Sequence, residues 1–214
     1  MSSPAPRRRR RWPWIVAAIV VVLAVPVAIL AVPILTHQNQ GVSNQVEPEV
    51  EWPEDATADG DDGRTRTITV TTEDGGEVDT STLEPGQRLV VTGSGYDGSQ
   101  GIYVAICVIP AEPTIKPGPC LGGVPEQTET TVEEGTIQFA PSNWINDDWA
   151  WRLFGARSYD DVAAGTFTAY LEVPDPVGEN VDCTVDACGI FTRNDHTALS
   201  DRVQDLYVPV AFAG

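Results

Sequence analysis

An uncharged apolar run near the N-terminus constrains this chain more than any other feature. Residues 15–35 read IVAAIVVVLAVPVAILAVPIL, with no charged or strongly polar side chain. About 20 such residues in a helix span the hydrocarbon core of a bilayer. Trp12 and Trp14 stand at its start, and indole rings favour the membrane interface. The sequence therefore predicts a transmembrane helix over residues 12–35.

Five consecutive arginines, residues 7–11, set the expected orientation of that helix. Basic flanks stay on the cytoplasmic side of a membrane. We therefore expect residues 1–11 to be a cytoplasmic basic N-terminus and everything after residue 35 to be extracellular. A cleaved signal peptide is the alternative, because it also has a basic start and an apolar core. We favour a single-pass anchor, since the run is longer than a usual signal core and no clean A-x-A site follows.

Residues 36–65 show no apolar periodicity and contain Pro48, Pro53, scattered glycines and clustered acids. This composition is typical of a flexible linker. Acidity extends over the rest of the chain. No acid precedes Glu47, so the part after the apolar run carries 31 acidic and 8 basic residues. Such a charge repels phosphate backbones, which argues against nucleic acid as a partner.

Residues 66–214 read as an extracellular β domain. Short segments with alternating or β-branched residues are separated by turns rich in glycine, proline and aspartate. That pattern predicts a seven-stranded antiparallel β-sandwich. The predicted strands are 67–71, 89–92, 102–109, 135–140, 165–173, 189–192 and 206–212.

Residues 141–165 interrupt the strand pattern and predict a short helical insertion. Asn143 would cap the helix, with Asp147 and Asp148 in its first turn and Gly155 at its end. The segment is rich in aromatic residues, which form a small core, a pocket or a contact patch. These residues are Trp144, Trp149, Trp151, Phe154 and Tyr159.

All four cysteines follow the apolar run. An even count in a secreted domain favours disulfides, and proximity pairs Cys107 with Cys120 and Cys183 with Cys188. The alternative is a four-thiolate zinc site. Neither spacing is the tight C-x-x-C form and the compartment is oxidising, so we expect disulfides and no metal.

The residues around the second pair resemble a known family. VDCTVDACGI (181–190) is similar to the penultimate-strand loop of the neocarzinostatin-type apoproteins of actinomycetes, in which a short disulfide closes the same loop. LEPGQRLVVTGSGYDGSQGIYVAICVI (83–109) resembles their second and third strands, and YVPVAF (207–212) their final strand. The resemblance covers most of 66–214 except 141–165. It implies an immunoglobulin-like sandwich without catalytic activity, from an actinobacterial source.

The resemblance also implies a ligand cleft beside the longer disulfide, which in antibiotic-carrying members holds an apolar enediyne. Here its border would be Cys107, Ile109, Cys120, Gly189 and Arg193. Ile109 replaces the carriers' aromatic residue, and Gly189 replaces a polar one, which argues against an enediyne cargo. We add the tryptophans of the insertion, Trp144, Trp149 and Trp151, as a candidate lid.

Two further patterns carry weaker chemistry. GSGYDG (93–98) matches the G-x-G-x-x-G string, but a strand follows it where a nucleotide site needs a helix, so tight backbone turns explain the glycines. His196 lies near Asp195, Asp201 and Asp205, which raises a hydrolase or a calcium site as alternatives. No G-x-S-x-G, H-E-x-x-H or catalytic cysteine accompanies it, so we interpret the segment as a polar loop.

These features predict a non-enzymatic, membrane-anchored cell-surface module of an actinobacterial envelope, with no cofactor and with an envelope protein as its partner. The alternative is a carrier or sensor of a small apolar ligand in the cleft. An extracellular hydrolase is a lesser alternative, because one histidine without a nucleophile beside it is thin support.

Overall fold

The computed structural model describes residues 12–122 and 137–213 and contains two compact units, one ending at His37 and the other beginning at Gln38. In the first unit, α1 spans Trp12–Thr36 as one helix that continues through Pro26 and Pro33. Its window Trp12–Ile29 has a mean hydropathy of 2.5. The predicted apolar helix is confirmed, and it has the length and composition of a membrane span, a test that signal sequences also pass.

The second unit is a sandwich of two four-stranded sheets, in which every neighbouring pair of strands is antiparallel. The first sheet has the order β1-β2-β3-β6 and the second β5-β4-β7-β8. The predicted β-sandwich class is therefore confirmed, with eight strands in the described residues. Their bounds, with the short helix α2, are β1 Asp55–Asp59, β2 Thr65–Thr72, β3 Arg88–Ser94, β4 Ile102–Val108, β5 Ser142–Ile145, α2 Trp149–Arg152, β6 Phe167–Glu172, β7 Cys188–Asn194 and β8 Leu206–Val210.

Period-two alternation builds the core between the sheets. Ile68 and Val70 of β2 point inward with no exposed surface, while the alternating Thr67, Thr69 and Thr71 are partly exposed. Strands β4 and β7 differ, because residues on both of their faces are buried. Ala105, Cys107 and Phe191 form a separate small cluster on the outer face of the second sheet. Other segments of the chain therefore cover the outer face of the second sheet.

The N-terminal part of the second unit differs from the flexible linker predicted over residues 36–65. It contains β1, which pairs with β2, and its side chains bond to the sandwich, for example Asn39 Nδ2 to the Ser200 carbonyl at 2.7 Å. Backbone pairing and side-chain hydrogen bonds order it, and neither depends on a large apolar residue. The sequence DATAD of β1 therefore gives no hydrophobic signal.

The insertion also differs from its prediction. The first two residues of the predicted strand 135–140 lie outside the described residues. Residues 137–139 form no strand, and β5 begins only at Ser142. Asn143 lies in β5 and pairs with Val104, so the prediction of a helix beginning at Asn143 was wrong. Hydrogen bonding to the edge of β4 satisfies this backbone instead. The helix that forms is four residues long, and Asp148 caps it by accepting a hydrogen bond from the Ala150 amide at 2.8 Å.

Candidate functional site

Both predicted disulfides are present, Cys107–Cys120 and Cys183–Cys188. The first fastens the segment around Cys120 beside β4, where the Leu121 amide donates to the Ile106 carbonyl at 2.8 Å. The residues between the two cysteines therefore form a closed loop at the outer face of the second sheet. We call residues 109–117 the cleft loop.

The outer face of the second sheet provides an apolar floor. Phe191 is opposite Ala105 on one side and opposite Tyr207 on the other. The rings of Phe191 and Tyr207 stack with centroids 4.8 Å apart. Cys107 is fully buried in the same cluster, and the partly buried Ile109 and Cys120 pack against it. An aromatic pair thus lies where an ordinary sheet would present polar residues to solvent.

Two segments flank this floor and form a half-open cleft of about 530 Å³. One wall is the cleft loop, and the other is the segment 43–51, which we call the strap. This volume lies in the range of small-molecule sites, roughly 300–1,000 Å³. The lining residues are Ser43, Gln45, Glu47, Pro48, Glu51, Ile109, Pro110, Ala111, Glu112, Pro113, Ile115, Pro117, Ala187, Phe191, Asp205, Tyr207 and Pro209.

The strap is held to the edge strand β8 by one side chain. The Tyr207 amide donates to Gln45 Oε1 at 2.8 Å, and Gln45 Nε2 donates to the Tyr207 carbonyl at 2.7 Å. Burial raises the pKa of the Tyr207 hydroxyl, and the carboxylate of Glu47 raises it further. The strap therefore brings negative charge to the edge of the apolar floor.

Asp205 gives the cleft its buried polar group. Its side chain is 7% exposed, and Arg202 Nη1 donates to Oδ2 at 2.8 Å. Oδ1 is buried and accepts no hydrogen bond. Burial raises the pKa of Asp205 to about 7, although Arg202, the nearby Asn194 amide and Arg193 act in the opposite direction. A buried carboxylate oxygen without a hydrogen-bond donor costs free energy of folding, and because Oδ1 has almost no accessible surface it is closed to the cleft.

The residues predicted for the cleft border are brought together only in part. Ile109 lines the cleft. Gly189 lies under it, opposite Cys107 and Pro209, where a Cβ would stand 3.0 Å from the Val208 carbonyl oxygen. Arg193 is outside the lining. Its Nη1 donates to the Pro117 carbonyl at 3.0 Å, which holds the cleft loop from behind.

The three tryptophans proposed as a lid do not line the cleft. Trp144 and Trp151 belong to an aromatic group further along the same sheet, with Tyr103 and His196. Trp149 points outward and is 65% exposed, and Leu153 is 74% exposed. The insertion therefore divides into a packed part and an exposed apolar part, rather than forming one core or one pocket.

The carboxylate next to His196, that of Asp195, is occupied by the protein's own donors. Asp195 Oδ2 accepts from Trp144 Nε1 at 2.8 Å and from Asn146 Nδ2 at 2.9 Å, and its Oδ1 accepts from the amide and hydroxyl of Thr197. Among the described residues, no group of three or more histidine, cysteine, aspartate or glutamate side chains is placed to hold a metal ion.

Sequence reasoning missed most of the lining. Phe191 and Tyr207 alternate with core residues in their strands, so the sequence can predict that they point outward. It cannot predict that the outer face of this sheet is buried. The strap gave no signal, because its composition matches that of a solvated linker. Only contact with β8 shows that it is a wall.

No family model and no curated protein matches this chain. Comparison with solved structures finds macromomycin, with 20% sequence identity over 68% of this chain and 99% of that one. The TM-score is 0.35, too low to support an argument about fold or function. Membership of the neocarzinostatin-type family therefore stays a prediction from the residues quoted above.

Proposed function

We propose that this protein is a membrane-anchored, non-catalytic binding module that takes a small, largely apolar molecule in the cleft, as a carrier or sensor. The observation that carries the proposal is the stacked pair of Phe191 and Tyr207, which forms the floor of a half-open cleft between the strap and the cleft loop. Apolar floors with a few polar groups are the usual form of small-molecule sites.

The location follows from the N-terminal helix and the disulfides. The helix α1 would anchor the chain, with the arginine run holding residues 1–11 in the cytoplasm and the sandwich outside. Cys107–Cys120 and Cys183–Cys188 suit an oxidising exterior. Retention of residues 1–35 in mature protein from membranes supports the anchor, whereas a start near Thr36 contradicts it.

The chemistry of the lining supports binding rather than catalysis. The described lining contains no histidine, and every cysteine of the chain is in a disulfide. Asp195 beside His196 is saturated with hydrogen bonds and cannot act as a base without breaking them.

The proposal is tested by calorimetric titration of the full-length protein in lipid nanodiscs with a panel of neutral aromatic molecules. Tyr207→Ala removes half of the floor while leaving the backbone bonds to Gln45. The matched control is Tyr170→Ala, a partly exposed tyrosine on β6 in the other sheet. We expect saturable binding that Tyr207→Ala abolishes and Tyr170→Ala retains. Flat titrations across the panel would contradict the proposal.

The envelope-partner hypothesis keeps one supporting observation, the exposed side chains of Trp149, Leu153 and Phe154. Exposed aromatic and aliphatic groups of this kind are enriched in protein contacts. Photo-crosslinking from position 153 on intact cells, with position 185 on another exposed loop as control, tests it. A partner captured only from position 153 supports the hypothesis, and equal capture from both positions contradicts it.

A further inference from the structure

We propose that the exposed apolar side chains around α2 insert into the outer headgroup interface of the membrane that α1 crosses. These side chains are Trp149, Leu153, Phe154 and Leu199, and we call them the apolar patch. The inference rests on the anchor in the proposed function, and it assigns the patch to a lipid surface rather than to an envelope protein. It follows from the composition of the patch and from the place where the chain enters the sandwich.

The short helix α2 directs its large apolar side chains away from the sandwich. Ala150 is its buried residue. By contrast, Trp149 is 65% exposed, and directly after the helix Leu153 is 74% and Phe154 53% exposed. A helix on the surface of a soluble protein normally buries such residues and exposes polar ones. Tryptophan, phenylalanine and leucine are the residues that peptides at a membrane surface bury between headgroups and acyl chains.

The strand register places α2 at the same end of the sandwich as the loop between β7 and β8. Ile102, the first residue of β4, pairs with Ile145 at the end of β5 and with Asn194 at the end of β7. The segments that follow these two strands therefore leave the second sheet side by side. Leu199 lies in the β7–β8 loop and is 54% exposed, so it extends the patch along that end.

Aromatic contacts hold the two segments together. The ring of Trp151 in α2 packs edge-on against His196 of the β7–β8 loop, with centroids 4.6 Å apart. The ring of Phe154 lies 6.3 Å from that of Trp151. The patch is thus carried on a packed support, which limits the side-chain entropy lost when it enters an interface.

The chain enters the sandwich at this same end. Asn39 Nδ2 donates to the Ser200 carbonyl at 2.7 Å, and the Gln40 amide donates to Asp201 Oδ2 at 3.1 Å. The helix α1 ends at Thr36, and the three residues from there to Asn39 reach at most about 11 Å. The headgroup layer of a bilayer is itself roughly 5–8 Å thick. With α1 across the membrane, the β7–β8 loop is therefore held at the headgroups.

The charge of the chain indicates which kind of lipid contact this is. The part after the apolar run has 31 acidic and 8 basic residues, so anionic lipids repel it. Attraction to the membrane must then come from apolar burial, which salt does not screen. A lipid contact based on basic residues would behave in the opposite way.

The test compares one fluorophore at three positions of the full-length protein in phosphatidylcholine nanodiscs. The native cysteines are all in disulfides, so a single added cysteine can be labelled with an NBD dye. Leu153→Cys reports on the patch, Val185→Cys on an exposed loop at the other end of the sandwich, and Leu23→Cys on α1. Quenching by nitroxide-labelled phosphatidylcholine measures contact with lipid. We expect blue-shifted emission and strong quenching at positions 153 and 23, and neither at position 185.

Substitutions in the patch should remove this contact. Trp149→Asp with Phe154→Asp should lower the quenching at position 153 to the level at position 185. The matched control is Ile137→Asp with Val177→Asp, two exposed apolar residues outside the patch, which should leave the quenching unchanged. Circular dichroism verifies that both variants fold. Quenching at position 153 should also persist at high salt, and its loss there would show a charge contact and overturn the proposal.

The outcomes separate this inference from the proposed function. Quenching at position 23 with none at position 153 would overturn the lipid contact and leave the anchor intact. Absence of quenching at position 23 would remove the anchor and this inference with it. Photo-crosslinking from position 153 on intact cells that captures a protein and no lipid would overturn the inference and assign the patch to an envelope partner.

Discussion

Gln45 and Tyr207 are 162 residues apart and exchange two hydrogen bonds, at 2.8 and 2.7 Å, through one side chain and one backbone unit. This pairing makes a linker-like segment the wall of a cleft. Gln45→Ala should release the strap, lower the free energy of unfolding by about 1–2 kcal/mol and speed proteolysis between residues 46 and 52. Val46→Ala, at a neighbouring exposed side chain, is the control. Unchanged proteolysis in Gln45→Ala would contradict the role of this contact.

The two disulfides should differ in their contributions to stability, because the loops they close differ in length. Cys107 and Cys120 are 13 residues apart, and Cys183 and Cys188 are 5 apart. From loop entropy, the double alanine variant of the first pair should cost about 3 kcal/mol and that of the second about 2. Urea denaturation of the two variants measures the difference. A larger loss for the second pair would contradict the argument.

Asp205 should make stability fall as the pH rises. Burial raises its pKa to about 7, above the value near 4 expected in the unfolded chain. The folded state therefore binds the extra proton between about pH 4 and 7, and this contribution is present at low pH and lost as the pH passes 7. Denaturation from pH 4 to 8 should show it as a difference between wild type and Asp205→Asn. The exposed Asp175→Asn should follow wild type, and parallel curves for all three proteins would refute the prediction.

Replacing Gly95 with any other residue should destabilise the fold, because the new side chain would clash sterically in addition to straining the backbone. Its φ is +77°, and a Cβ would lie 1.9 Å from the Thr65 carbonyl oxygen. Gly75 has nearly the same φ, +80°, with nothing within 4 Å of its Cβ. Gly75→Ala should cost about 1 kcal/mol from strain, and Gly95→Ala more than about 3 kcal/mol. Equal losses in thermal unfolding would show that strain alone acts.

Trp144 should stabilise the fold through its indole N–H as well as its ring. Nε1 donates to the fully buried Asp195 at 2.8 Å. Trp144→Phe keeps an aromatic ring but deprives a buried carboxylate of one donor, which should cost about 1.5–3 kcal/mol. Trp149→Phe, at an exposed position, should cost less than about 0.5 kcal/mol. Similar losses for the two variants would contradict the prediction.

The alternation of apolar and polar residues, with turn residues between the segments, predicts the β-sandwich architecture. The alternation in 67–71 and 102–109 placed β2 and β4 close to their observed bounds, because the two faces of a half-buried strand differ in polarity. The same reasoning failed at β1 and β5. Backbone pairing with a neighbouring strand orders these two segments, and that pairing leaves no hydrophobic pattern.

By itself, the sequence determined the apolar helix, the β-sandwich class and both disulfide pairings, since these depend on local composition, alternation and nearby cysteines. Only the tertiary structure decided that the outer face of the second sheet is covered, that Gln45 returns to Tyr207, and that Asp205 is buried with an unfilled oxygen. These features arise from contacts between residues far apart in the chain, and local residue patterns do not record such contacts.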